Sequence, residues 1–161
     1  MTLVLLLGGA RSGKSKLALD LARRAGAPVV FIATGTAGDE EMAARIEAHK
    51  NERPGDWTTI EEPVELERAL RSVPAGTTAI VDCLTLWVSN VLDVDGDSAA
   101  RLAAARDGLT IAVSNEVGLG IVPDNALARR YRDALGRVNA TWADAADEVY
   151  LVVAGKRLRL G

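Results

Sequence analysis

The chain has 161 residues, 48% hydrophobic and 25% charged, with 19 basic and 22 acidic side chains and a net charge of −3. That length is close to the roughly 150 residues of one domain, and a chain of this size buries about two thirds of its unfolded surface, enough for one core. The slightly acidic balance argues against general nucleic-acid binding, which needs a basic face, and leaves room for a small anionic ligand held by a local cluster.

Residues 3–7 (LVLLL) form an apolar run closed by Gly8 and Gly9, the pattern of a strand buried on both faces of a parallel sheet. The run has no basic flank and is too short to span a bilayer. The one cysteine, Cys83, sits in another apolar run. A lone thiol builds no intrachain disulfide or metal site and reads as a small buried apolar residue. A reducing, cytoplasmic setting is expected.

Lys14–Ala25 has helical spacing, with Leu17, Leu21 and alanines on one face, and Gly26-Ala27-Pro28 stops it. Val29–Ala33 is the next buried strand. Residues 39–53 predict a helix with acids in its first turn, Arg53 in its last and Pro54 just beyond. Residues 57–60 are a short extended segment, and 63–73 an amphipathic helix with Pro63 near its start. Residues 79–82 (AIVD) predict a third buried strand, 84–92 a helix, 93–97 (DVDGD) a turn and 98–106 a short helix.

A fourth buried strand follows at 109–113. The next stretch, SNEVGLGIVPDN (114–125), is too glycine-rich for a regular element. Residues 126–146 predict a long helix, 148–153 a fifth strand and 156–160 an edge strand of alternating basic and apolar residues. No repeat, low-complexity tract or linker interrupts the alternation. A single α/β domain over residues 1–161, with a mainly parallel sheet, is expected.

GGARSGKS supplies Gly8, Gly9, Ala10, Arg11, Ser12, Gly13, Lys14 and Ser15 between a strand and a helix. It is a full match to the phosphate-binding pattern G-x-x-x-x-G-K-[ST] in the context that pattern requires. Glycines let the backbone curl so that successive amides face phosphate oxygens, and the helix start adds its positive end. Lys14 is expected to reach the β and γ phosphates and Ser15 to bind Mg²⁺. Asp82, at the end of AIVD, stands at the Walker B position, where a carboxylate can hold Mg²⁺ through water. A nucleoside triphosphate with Mg²⁺ is the expected ligand. The guanine-reading N-K-x-D of switch GTPases is absent.

His49 is the only histidine. On the helix of residues 39–53, Met42, Ile46 and His49 fall at i, i+4 and i+7 and share an inward stripe, with Arg45 and Arg53 four residues to either side. The bland reading is a histidine at the margin of an apolar face with solvated arginines. The sharper one is a nucleophile: the guanidiniums grip phosphate oxygens and offset charge as it builds, and the imidazole attacks the α-phosphorus, releasing pyrophosphate.

Taken in order, GGARSGKS, IATG, DEEMAARIEAHKNERPGDWTTIEEP, VDCLTLWVSN, SNEVGLGIVPDNALARRYRDALGRVN and AADEVYLVV resemble the bifunctional adenosylcobinamide kinase / adenosylcobinamide-phosphate guanylyltransferases of cobalamin biosynthesis. The resemblance spans nearly the whole chain. It implies an α/β fold of the P-loop NTPase (RecA-like) type, a three-layer sandwich with a mainly parallel central sheet. It implies an enzyme that phosphorylates adenosylcobinamide with ATP or GTP and then transfers GMP from GTP, giving adenosylcobinamide-GDP. The family carries GMP on the histidine of R-I-x-x-H-x-x-x-R-P, here RIEAHKNERP, so that role falls to His49. Its nucleotide contacts fall on Gly8 to Ser15, on Ala33, Thr34 and Gly35, on Lys50, Asn51, Glu52 and Arg53, and on Glu61 and Asp82. A homo-oligomer, a trimer in the family, is also implied.

Only the resemblance supplies the corrinoid substrate; an aromatic content of 4% offers few flat stacking surfaces. Residues 114–125 are expected to line the substrate site or a subunit contact. Arg129, Arg130 and Arg132 are expected to be a solvated face or interface, or to reach phosphates. Residues 93–110 look shorter than is usual in the family. Two other readings stay open: a plain P-loop kinase with a structural His49, and a nucleotide-sensing binding protein.

Overall fold

The apolar runs need cover on both faces, and side-by-side pairing also satisfies their backbone groups. In the computed structural model, which describes residues 2–161, they form the centre of a seven-stranded sheet. The elements are β1 (Thr2–Gly8), α1 (Lys14–Ala25), β2 (Val29–Ala33), α2 (Glu40–Asn51), β3 (Thr58–Glu61), α3 (Leu66–Ser72), β4 (Thr78–Asp82), α4 (Leu84–Val91), α5 (Asp97–Ala105), β5 (Leu109–Asn115), α6 (Ala126–Ala145), β6 (Glu148–Val153) and β7 (Lys156–Arg159). The strand order is β3-β2-β4-β5-β1-β6-β7. All pairs are parallel except the β6–β7 hairpin.

Alternate strand residues feed two cores. Leu3, Leu5, Ile32, Val81 and Ala112 point to the face covered by α3, α4, α5 and α6, where Trp142 is fully buried. Val4, Leu6, Phe31, Ile80 and Val113 point to the other face, covered by α1 through Ala18, Leu19 and Ala22. Three layers result. Burying one such Leu or Val stabilises the fold by about 1.5–3 kcal/mol.

Several boundaries differ from expectation for local reasons. α3 starts at Leu66, not Pro63, because the Glu62 carboxylate captures the amides of Val64 and Glu65 at 3.2 and 2.9 Å. β5 runs on to Asn115, since Ser114 and Asn115 stay in register with Leu7 and Gly8 of β1. The short α5 is packed: Gly96 (φ 78°) lets the chain approach Val138 and Trp142, and Ala99, Ala100 and Ala103 are buried. The largest difference is α2. Asp39 caps it by accepting from the Met42 amide at 2.7 Å, yet none of its residues is buried. Its stripe faces a cavity, not a core. Among the described residues, no helix is long and apolar enough to cross a membrane.

Candidate functional site

The phosphate loop leaves β1 and enters α1 through two left-handed residues, Arg11 (φ 54°) and Gly13 (φ 98°). A Cβ on Gly8 would lie 2.4 Å from the Val152 carbonyl oxygen, and one on Gly13 would lie 3.2 Å from Gly155 Cα. The loop is therefore moulded against the β6–β7 turn, whose Gly155 amide donates to the Ser12 carbonyl at 2.8 Å. That turn holds Ala154 at φ 50° and Gly155 at φ 73°, the two-residue hairpin geometry with both φ positive. No side chain caps α1, so its first-turn amides remain for an anion.

Lys14 is buried, and its Nζ donates to the Gly9 carbonyl at 2.8 Å. Burial pulls its pKa below the ordinary lysine value, against the nearby Cys83 and Asp82. Asp82 closes β4 beside it. Burial pushes the Asp82 carboxyl above the ordinary range, opposed by His49, Arg53, Lys14 and the Ser15 hydroxyl.

These groups border a cavity of about 450 Å³ at the carboxyl ends of β1, β2, β4 and β5. Ala10 to Ser15 form one wall, with Ala33, Gly35 and Asp82 behind. Met42, Arg45, Ile46 and His49 face in from α2, at the helical spacing that shares one side. Gly35 sits against α4: a Cβ there would lie 3.1 Å from Leu86, while Ile46 of α2, at 3.6 Å, would be in ordinary contact. Arg53 enters from beyond the helix, its guanidinium 3.5 Å from the centre of the Phe31 ring and donating to Thr59 Oγ1 at 3.2 Å. Burial lowers its pKa, against Asp82 and Glu61. Arg11, Lys14, Lys16, Arg45 and Arg53 thus converge on one cavity whose single acid is Asp82, a field suited to several phosphates.

Not every predicted contact lines the cavity. Gly8, the last residue of β1, and the exposed Gly9 are not among its lining residues. Lys50 pairs with Glu61 at 2.5 Å on the exposed surface, and Asn51 and Glu52 are exposed beside them. Thr34 is fully buried; its hydroxyl donates to the Cys83 carbonyl at 2.6 Å and accepts from the Cys83 amide at 2.8 Å. Its side chain is committed to holding the strand end next to Asp82.

Sequence reasoning missed Phe31 as the shelf under Arg53. It also missed the polar brace behind the cavity wall. The Asn115 amide donates to Thr85 Oγ1 at 2.7 Å, Asn139 Nδ2 to the Asn115 carbonyl at 3.0 Å, and Ser114 Oγ to Asn139 Oδ1 at 2.6 Å. No periodicity marks these residues; only polar groups ending an apolar strand hint at them. The arginines at the start of α6 bind no part of the cavity. Arg132 donates to the Gly118 carbonyl at 2.8 Å, Arg129 to the carbonyls of Pro123 and Asp124 at 2.8 and 2.7 Å, and Arg130 pairs with Asp93. Two of the three therefore fix the shape of residues 116–125.

A family model described as cobinamide kinase / cobinamide phosphate guanyltransferase matches residues 4–160. The bifunctional adenosylcobalamin biosynthesis protein CobP of Pseudomonas aeruginosa is 47% identical, over 94% of this chain and 92% of that protein. The corresponding CobU proteins of Salmonella typhimurium and Escherichia coli are 43% and 38% identical, each over 95% of this chain and 96% of the relative. Among solved structures, a Pyrococcus horikoshii OT3 protein aligns at TM-score 0.56 and 9% identity, over 98% of this chain and 85% of its own. An ATPase of a type III secretion system from pathogenic bacteria aligns at 0.54 and 12%, over 93% and 50%. These two likenesses concern the fold alone: an α/β sandwich around a mainly parallel sheet.

Proposed function

The chain belongs to the cobinamide kinase / cobinamide phosphate guanyltransferase family, and on that premise we propose that it phosphorylates adenosylcobinamide with ATP or GTP and then moves GMP from GTP onto the new phosphate by way of His49. The products are adenosylcobinamide-GDP and pyrophosphate. One observation carries the residue assignment: His49 faces the same cavity as the phosphate loop, between Arg45 and Arg53.

In the kinase step, loop amides and the α1 start hold the triphosphate. Lys14 exchanges its bond to the Gly9 carbonyl for β- and γ-phosphate oxygens. In the transfer step, a ring nitrogen of His49 bonds to the α-phosphorus while the bond from that phosphorus to the bridging oxygen of pyrophosphate breaks. The phosphate loop keeps the leaving pyrophosphate, and Arg45 and Arg53 offset charge on the α-phosphate. The substrate phosphate then attacks the same phosphorus and displaces His49, which is regenerated.

Ser15 and Asp82 offer oxygen donors only, one of them a half-buried carboxyl whose desolvation its neighbours do not fully compensate. That set fits Mg²⁺, which takes one or two carboxylates together with substrate phosphates. When bound, the ion would neutralise charge on the phosphates. Among the described residues, no group of three or more His, Cys, Asp or Glu could hold a metal by itself, so the nucleotide would complete the shell.

The same reading takes residues 1–161 as a single catalytic domain and the protein as a homo-oligomer, a trimer by family resemblance. Exposed Val153, Leu158 and Leu160 on the terminal hairpin support a self-associating face, which sedimentation equilibrium tests. For the chemistry, GTP labelled at the α-phosphate should leave an acid-labile, alkali-stable label on the protein. His49→Ala should lose the label and keep the kinase; Lys14→Ala should lose both activities. A wild-type protein with full kinase activity and no label would make His49 structural.

A further inference from the structure

We infer that residues 116–125 are the platform on which the corrin ring rests while its alcohol arm enters the cavity; this inference depends on the function proposed above. The first reason is size. A corrinoid is larger than the drug-sized ligands that fill pockets of about 300–1,000 Å³. The cavity here is about 450 Å³ and must also take nucleotide phosphates. Only the arm bearing the hydroxyl can go in, so the macrocycle lies on the rim.

The second reason is what the rim offers. The phosphate loop and the first turn of α1 present Arg11 and Lys16. The outer side of α2 presents Glu40, Glu41, Glu47 and Lys50. The terminal hairpin mixes exposed Lys156, Arg157 and Arg159 with Val153, Leu158 and Leu160, and none of its residues lines the cavity. β5 is different: its last residue, Asn115, is part of the cavity wall, and the chain passes straight from it into residues 116–125. There Leu119 is 85% exposed, Ile121 97% and Val122 57%. Such a run of apolar side chains on a surface marks a binding site more often than chance.

The third reason is that the run is held in shape without being buried. Glu116 accepts from the Gly118 amide, Arg132 holds the Gly118 carbonyl, and Arg129 holds the carbonyls of Pro123 and Asp124. Backbone bonds fix the loop while its side chains point outward. A surface pre-shaped in this way avoids an ordering cost on binding. The methyl-bearing edge of a corrin ring is an apolar surface that would cover it.

The test compares wild type with Leu119→Ser/Ile121→Ser and with Ile121→Ser alone, after thermal melts show both variants folded. The expected result is a KM for adenosylcobinamide raised at least about tenfold in the double variant and less in the single one. The KM for GTP, the α-phosphate label on His49 and the sedimentation mass should match wild type. An unchanged corrinoid KM overturns the inference. So does a lower mass, which would make the loop a contact with a second copy of this chain. A wild-type protein that neither phosphorylates adenosylcobinamide nor takes the label refutes the function itself, and this inference with it.

Discussion

Thr34→Val tests whether the strand end beside Asp82 is held by a side chain and not by ligand. Thr34 is fully buried, and its one hydroxyl serves both the amide and the carbonyl of Cys83, at 2.8 and 2.6 Å. Valine keeps the branched shape and removes both bonds. The Cys83 amide is then left buried and unpaired, at about 1–3 kcal/mol, while its carbonyl keeps the Trp87 amide at 3.2 Å and loses one bond worth about 0.5–1.5 kcal/mol, so the variant should lose roughly 1.5–4.5 kcal/mol, with the upper end applying if no water enters. Against a total stability of about 5–15 kcal/mol, that loss is easily seen. Thr34→Ser keeps the hydroxyl and loses one methyl, about 1 kcal/mol. The assay is urea unfolding of nucleotide-free protein, followed by tryptophan fluorescence, with m-values compared to exclude a change in the unfolded state. Because the Thr34 amide also donates to the Asp82 carbonyl at 3.1 Å, the kinase rate should fall in the valine variant and largely survive in the serine variant. A valine variant within about 1 kcal/mol of wild type, or a serine variant as damaged as the valine, would refute the reasoning.

Gly155→Pro removes the amide that supports Ser12 and imposes a φ incompatible with the observed 73°. GTP affinity by calorimetry should drop roughly tenfold, the equivalent of one lost hydrogen bond, and an unchanged affinity would show that the hairpin does not shape the loop. Arg53→Lys loses the flat contact with Phe31 and the fork that grips phosphate; histidine labelling should slow while urea stability changes little. For Glu62, the Arg68 guanidinium and the Glu65 and Val64 amides hold the carboxyl below its usual pKa. A depressed folded pKa gives stability that is present above the unfolded value and lost as pH falls through the folded one. The advantage of wild type over Glu62→Gln should therefore be full at neutral pH and vanish in acid. A pH-independent difference would mean that packing, not charge, is responsible.

Sequence alone determined the parts whose physics is local. Apolar runs such as residues 3–7 must be buried on both faces, so the mainly parallel α/β sheet was legible. The glycines, lysine and serine of GGARSGKS can form a phosphate loop only in the strand–helix context that surrounds them. His49 and its flanking arginines could be placed on one side of a helix by spacing, but not what that side faces. Only the tertiary structure decided that it borders a cavity, because α2 buries nothing of its own and its position depends on the strand ends and phosphate loop opposite it. Lys50 and Glu61 on the outside, Thr34 turned inward, Phe31 beneath Arg53 and the Ser114–Asn139–Asn115 brace were likewise decided there. Each depends on which residues meet across strands and helices far apart in the chain, and pairing at that distance follows from packing the whole sheet, not from any neighbouring residue.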